Sequence, residues 1–131
     1  MHQLEEYLKK YFSEFIMKKT KSEVIAVAGT PTTLSCMKQN LKQFNESAVD
    51  NSYLCLNDIE EISYILSQLS KEEILRTYGN VVMGREDLLL AGSLILKIFM
   101  QFINVNEITV STKGLRYGVI IDYLDKLNWD L

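Results

Sequence analysis

The strongest constraint on this chain is Val24-Ile25-Ala26-Val27-Ala28, an unbroken apolar run that passes directly into Gly29-Thr30-Pro31-Thr32-Thr33-Leu34. Such a run suits a strand covered on both faces. The residues after it suit a tight turn at Gly29, an N-cap at Thr30 and a first helical residue at Pro31, where the missing N–H costs nothing. A second junction of this kind comes much later. There Glu107-Ile108-Thr109-Val110-Ser111 leads through Thr112-Lys113-Gly114 into Leu115-Arg116-Tyr117-Gly118. Both joints are the grammar of an α/β fold, and each helix opening offers unpartnered backbone N–H groups that can receive an anion.

Between and around these joints the pattern is helical. Leu4, Tyr7, Leu8, Tyr11, Phe12, Phe15 and Ile16 recur at three- and four-residue steps and form one stripe. Leu34, Met37, Leu41 and Phe44 form the inward stripe of the helix after Pro31. Tyr53-Leu54-Cys55-Leu56 is a short strand or an extended lead-in. Asn57-Asp58-Ile59-Glu60 and Ser70-Lys71-Glu72-Glu73 have capping-box patterns, the first opening a helix with Ile59, Ile62, Ile65, Leu66 and Leu69 inward, the second a shorter one that stops near Gly79. A long apolar helix is predicted from about Arg85 to Asn104, and a last helix from about Gly114 to Leu127. The order is therefore α, β, α, α, α, α, β, α with two or three strands. So small a sheet is a poor core for this much helix, and the reading is one incomplete domain over residues 1–131, missing the first strands of its sheet.

Bulk properties exclude several classes. With a net charge of −3 over 131 residues, the global field does not advertise binding to nucleic acid or to a membrane surface. The apolar stretch Leu88–Val105 is interrupted by Lys97, Gln101 and Asn104 and suits a buried helix better than a membrane span of about twenty apolar residues. No apolar secretory core opens the chain. Cys36 and Cys55 follow no disulfide or metal spacing and are expected to be buried thiols of a reducing, cytoplasmic compartment. His2 is the only histidine, which argues against His-based catalysis, His metal sites and Ser–His or Cys–His nucleophiles.

Candidate chemistry therefore concentrates at the two joints. Gly29 and Thr30 stand where α/β folds bind ligands, at a strand's carboxyl end, although plain capping also accounts for them. No lysine completes a P-loop there. Lys113 and Arg116 place cations at a helix start, where the macrodipole disfavours them by about 0.3–1 kcal/mol each. Either an anion is held between side chains and amides, or both reach solvent or a carboxylate. Arg85 poses the same question, with Glu86 and Asp87 as ready partners. Gly92-Ser93 suits the close approach of another backbone. Asp58, Glu60, Glu61, Asp122 and Asp125 fall at helical spacings on polar faces, more like a solvated surface than a catalytic pair.

Three segments in order carry a family resemblance: Ala28-Gly29-Thr30, Gly84-Arg85-Glu86-Asp87-Leu88-Leu89-Leu90-Ala91-Gly92, and Val110-Ser111-Thr112-Lys113-Gly114-Leu115-Arg116-Tyr117-Gly118. Together they resemble the exopolyphosphatase/guanosine pentaphosphate phosphohydrolase (Ppx/GppA) family over nearly the whole chain. The resemblance implies a partial actin-like (ribonuclease H-like) domain, the later part of the second of two related domains with substrate between them. It implies hydrolysis of a terminal phosphoryl group of polyphosphate or pppGpp, assisted by Mg²⁺ in the full-length enzyme. The family's catalytic Glu and glycine-rich phosphate loops precede the matching region, so no catalytic or metal residue is assigned in this chain. Carried over by motif, Arg85, Arg116, Gly29, Thr30 and Lys113 are the substrate phosphate-binding candidates. Tyr117 stands where the family usually has Glu, which shifts Arg116 toward a structural role.

The expectation is a C-terminal portion that contributes to a phosphate cleft, needs the missing N-terminal half for activity and self-associates when isolated. The alternative is a non-catalytic module derived from the same domain that binds a nucleotide or a protein. A minimal enzyme using Asp58, Glu60 or Glu61 is the third.

Overall fold

The structure is a computed structural model that describes residues 2–13 and 23–128. The elements run α1 (His2–Phe12), β1 (Ile25–Val27), α2 (Gly29–Lys38), the single-turn α3 (Glu46–Val49), β2 (Ser52–Cys55), α4 (Leu56–Gln68), α5 (Lys71–Tyr78), a 3-10 turn (Gly79–Val82), α6 (Leu89–Ile103), β3 (Glu107–Ser111) and α7 (Leu115–Asn128). Phe15 and Ile16 of the first predicted stripe lie outside the described residues.

The three strands form one mixed sheet in the order β1-β3-β2. β1 runs parallel to β3 with Ile25 opposite Thr109 and Val27 opposite Ser111, while β2 is antiparallel with Leu54 opposite Ile108. The parallel pair explains why the two strand-to-helix joints emerge side by side: both strands end at the same edge of the sheet. β1 is the outer strand, and its far edge has no neighbour among the described residues.

One face of the sheet is covered by helices. Ile108 and Val110 of β3 and Leu54 of β2 are buried with Leu34 and Met37 of α2, Ile59, Ile62 and Leu66 of α4, and Leu89 and Met100 of α6. The other face is open: Ile25 is 58% exposed, Val27 45% and Tyr53 54%. The expectation that Val24–Ala28 is covered on both faces is therefore corrected. No described element packs over that second face.

Other expectations shift by a turn. The helix after Pro31 ends at Lys38, so Leu41 lies outside it, and Phe44 stands exposed instead of in the core. In α1, Tyr7 and Tyr11 stack on each other in solvent, while Phe12 meets Phe99 and Phe102 of α6. α6 starts at Leu89, because Arg85 closes one turn, its amide donating to Val82 O at 3.0 Å, and opens a separate one in which its carbonyl accepts the Leu88 and Leu89 amides. The box predicted at Asn57 begins two residues earlier, with Asp58 Oδ2 accepting the Cys55 amide at 2.8 Å. The Ser70–Glu73 box is as predicted: Glu73 Oε2 accepts the Ser70 amide at 2.8 Å and Ser70 Oγ the Glu73 amide at 3.3 Å.

The last helix is unlike the rest. Every residue from Leu115 to Leu127 is exposed, including Val119, Ile120, Ile121, Tyr123 and Leu124. On a 3.6-residue turn these side chains spread around more than half of the circumference, too wide for a single buried stripe.

Candidate functional site

The joint after β1 holds the chain's most unusual backbone. Ala28 caps α2 at φ 79° and ψ −172°, a conformation that is essentially glycine's own and costs a residue with a Cβ about 1–3 kcal/mol. Helix α2 then begins at Gly29, so Thr30 is not its cap and Pro31 is its third residue, still within the first turn, where its lack of an N–H is harmless. Thr32 secures the joint: its Oγ1 lies 3.0 Å from Ala28 O and 3.1 Å from Gly29 O.

Gly29 has a reason of its own to be glycine. The Arg85 guanidinium lies so close above it that an added Cβ would stand 2.8 Å from Arg85 Cζ. Arg85 Nη1 also donates to Thr33 Oγ1 at 3.1 Å, one turn along α2. Neither Glu86 nor Asp87 neutralises it, since Asp87 faces Lys71 at 3.4 Å. A guanidinium without a carboxylate partner among the described residues therefore sits on the positive end of a helix, against the macrodipole.

The second joint faces the first. A surface cavity of about 640 Å³ is lined by Ala28, Gly29, Thr32 and Thr33 on one side and by Thr112, Gly114, Leu115, Arg116 and Tyr117 on the other, with Arg85 between and Phe44, Asn80 and Met83 at its margin. Among the described residues no Asp or Glu lines it. Arg116, like Arg85, forms no ion pair with a described residue. The lining thus pairs two unneutralised guanidinium groups with the opening turns of two helices, an arrangement that attracts a multiply charged anion.

Two candidates are placed elsewhere. Thr30 packs against Gly92 of α6, where an added Cβ would stand 2.8 Å from Thr30 Oγ1. Gly92 admits a side chain there, where a backbone approach was expected. Lys113 Nζ lies 3.5 Å from Asp50 Oδ2 and its residue is absent from the cavity lining. Tyr117 directs its hydroxyl to Glu46 Oε1 at 3.4 Å.

Sequence reasoning missed Thr32, Thr33, Cys36, Phe44 and Asn80 as lining residues. The first three were within reach of it, because with Gly29 they share one helical face at three- and four-residue steps. Phe44 and Met83 arrive from loops and Asn80 from the 3-10 turn, which no periodicity marks. Cys36 is buried at the base of the cavity, and burial pushes its thiol up, away from the thiolate that a nucleophile requires. Cys55 is only half-buried, with Sγ 3.5 Å from Glu107 Oε2.

The carboxylates considered for catalysis are engaged elsewhere. Asp58 lies 2.7 Å from Lys38, and Glu60 pairs with Lys97 at 3.4 Å and accepts from Gln101 at 3.2 Å. Neither lines the cavity. Among the described residues no three His, Cys, Asp or Glu side chains form a metal-binding group. With no described carboxylate on the cavity wall either, the described residues do not fit a Mg²⁺ site. No helix among the described residues is long and apolar enough to cross a membrane.

Known proteins resemble this chain in sequence and fold. The profile of the Ppx/GppA phosphatase family matches residues 1–127. A crystal structure of the Aquifex aeolicus member of that family superposes with a TM-score of 0.87 at 25% identity, covering 97% of this chain and 41% of that one. An exopolyphosphatase from Cytophaga hutchinsonii superposes with a TM-score of 0.72 at 20% identity, covering 96% of this chain and 43% of its own. Over 106 residues the chain is 26% identical to a bifunctional 3-dehydroquinate synthase/phosphatase of Fusobacterium nucleatum, covering 80% of this chain and 15% of that protein. The chain thus spans about two-fifths of the solved structures it resembles, and its fold is the partial actin-like, ribonuclease H-like one.

Proposed function

We propose, from the premise that this chain belongs to the Ppx/GppA phosphatase family, that it is the C-terminal portion of a phosphoanhydride hydrolase and supplies one wall of its substrate-phosphate cleft. The substrate class is polyphosphate or pppGpp. The observation that carries the reading is the meeting of both helix openings, Arg85 and Arg116 on one cavity with no carboxylate among its described lining residues. Preorganised positive groups of this kind stabilise charge on a phosphoryl group during transfer. Arg85 is assigned to the substrate phosphates, Gly29 to the room Arg85 needs, and Arg116 to the opposite wall. Thr30 and Lys113 are withdrawn from the set, because their side chains face Gly92 and Asp50.

The remaining chemistry belongs to sequence outside this chain: the carboxylate that activates water, and the ligands of any Mg²⁺. The isolated chain is accordingly inactive toward polyphosphate and pppGpp. The open face and free edge of β1, together with the bare apolar sides of α7, are the surfaces an N-terminal half would cover. The free thiols of Cys36 and Cys55 support a cytoplasmic location.

The test is Arg85→Ala in the complete protein. A raised KM with an unchanged melting temperature supports the assignment. An unchanged KM with a lowered melting temperature makes Arg85 structural and removes the site. Tight binding of a nucleotide or protein by the 131-residue chain alone, with no activity in any longer form, favours the module reading instead.

A further inference from the structure

We infer that Asp50 is a positioning residue for the Arg116 wall of the cavity, an inference that rests on the anion-site reading above. The wall needs an external tie. It is a turn leading into α7, and every residue of that helix from Leu115 to Leu127 is exposed. Gly114 has nothing within 4 Å of where its Cβ would stand. Left to itself, the turn would let Arg116 swing with the helix.

Helix α3 supplies the tie. Asp50 Oδ1 accepts the Thr112 amide at 2.9 Å and the Ser111 hydroxyl at 3.0 Å, and Ser111 Oγ in turn accepts the Lys113 amide at 3.1 Å. Asp50 Oδ2 faces Lys113 Nζ at 3.5 Å. One helical turn earlier, Glu46 Oε1 accepts from Thr112 Oγ1 at 3.2 Å and Tyr117 Oη at 3.4 Å. Two carboxylates therefore grip one turn. Their own support is firm: Val49 is fully buried between them, and the Asn51 amide donates to Val110 O at 2.8 Å on the sheet.

The grip has a consequence for charge. It occupies the Thr112 and Lys113 amides and diverts the Lys113 ammonium, so that Arg116 is the cation that faces the cavity from this wall. Asp50 acts through Arg116 and touches no ligand itself.

The experiment is calorimetric titration of the 131-residue chain with inorganic tripolyphosphate, for wild type, Asp50→Asn, Asp50→Ala and each combined with Arg116→Ala or with Arg85→Ala. Asparagine keeps an acceptor for the Thr112 amide, whereas alanine does not. Positioning predicts opposite directions: Asp50→Asn binds at least as tightly as wild type, and Asp50→Ala binds about tenfold more weakly, the worth of one charge-assisted hydrogen bond. Arg116→Ala then costs little more in the Asp50→Ala background, while Arg85→Ala costs the same in both. A role for Asp50 as mere negative charge predicts tighter binding in both variants, and that result, or full additivity with Arg116→Ala, overturns the inference. Hydrogen exchange at the Thr112 amide gives a ligand-free reading: protection must be lost in Asp50→Ala and largely kept in Asp50→Asn, and unchanged protection in both overturns it. A wild-type chain that ignores tripolyphosphate but shows this exchange pattern counts against the anion site and leaves the tie standing. Should Asp50→Ala not fold, Glu46→Gln with Asp50→Asn, read by the same exchange, decides the matter.

Discussion

The guanidinium of Arg85 lies directly over Gly29, with Cζ 2.8 Å from where a Cβ on Gly29 would be. Gly29 opens a helix and Arg85 closes a distant turn, so this one contact ties the β1–α2 joint to the segment that leads into α6. Gly29→Ala therefore tests the site with little risk to the fold. The colliding group is the end of a long, flexible side chain, and Gly29 has no positive φ to strain an alanine. The expected outcome is a displaced Arg85 and about tenfold weaker tripolyphosphate binding, near 1.4 kcal/mol, with a melting temperature within a few degrees of wild type. Calorimetry and a thermal melt on the same sample check both halves.

Gly92→Ala is expected to behave in the opposite way. There the added methyl meets Thr30 Oγ1 at 2.8 Å and Cγ2 at 2.9 Å, a short β-branched side chain on a helix with no slack. Overpacking of this kind costs about 1–3 kcal/mol. A urea melt should show that loss, and Thr30→Ala in the same chain should recover most of it. Equal stability of Gly92→Ala and wild type would mean that α2 and α6 slide apart more easily than their packing suggests.

Ala28 is the place where substitution is expected to help. Its φ of 79° and ψ of −172° favour glycine, so Ala28→Gly removes local strain at the expense of a more flexible unfolded chain. The net expectation is a gain of about 0.5–2 kcal/mol, read as a higher denaturant midpoint at unchanged slope.

Acid should loosen the wall opposite Arg85. The Thr112 amide, with Ser111 and Lys113 behind it, holds Asp50 below the usual carboxylate range. The Ser70 amide does the same for Glu73 at the start of α5. Burial alone would raise Asp58, but Lys38 and the Cys55 amide outweigh it and leave it lowered. A carboxylate whose folded pKa is depressed stabilises the fold in full above its unfolded value, here 3.8 for Asp50 and Asp58 and 4.5 for Glu73, and loses that contribution as the pH falls through the lower folded value. Stability should thus be flat near neutrality and decline below about pH 4.5. Asp50→Asn should flatten the lower part of that decline, measured by chemical denaturation at stepped pH.

Self-association of the isolated chain is the last expectation. β1 offers an unpaired edge and the open side chains of Ile25 and Val27, and α7 offers Val119, Ile120, Ile121 and Leu124 to solvent. Exposed strand edges and wide apolar faces recruit further chains. Light scattering on a size-exclusion column should show dimers or larger species at high concentration, reduced by Val27→Lys. A clean monomer throughout would show that solvent tolerates these surfaces.

What could be read from the residues alone was local. The alternation of apolar runs and caps gave the element types and their order, because helix and strand periods are properties of adjacent residues. Ser70 and Glu73 cap α5 where their spacing predicts. Three motifs in order were enough to point to the right family. The same local logic failed where partners come from far along the chain. It put the strained turn at Gly29, although Ala28 bears the strain and Gly29 answers to Arg85. It grouped Thr30 and Lys113 with the site because they are neighbours in sequence. Only the parallel pairing of β1 with β3 brings the two helix openings to one cavity, and only long-range contacts with Gly92 and Asp50 turn Thr30 and Lys113 away from it. The sequence determined which backbone groups and charges this chain owns. The tertiary structure decided which of them share a space, since that depends on strand order and side-chain packing between segments that no local spacing connects.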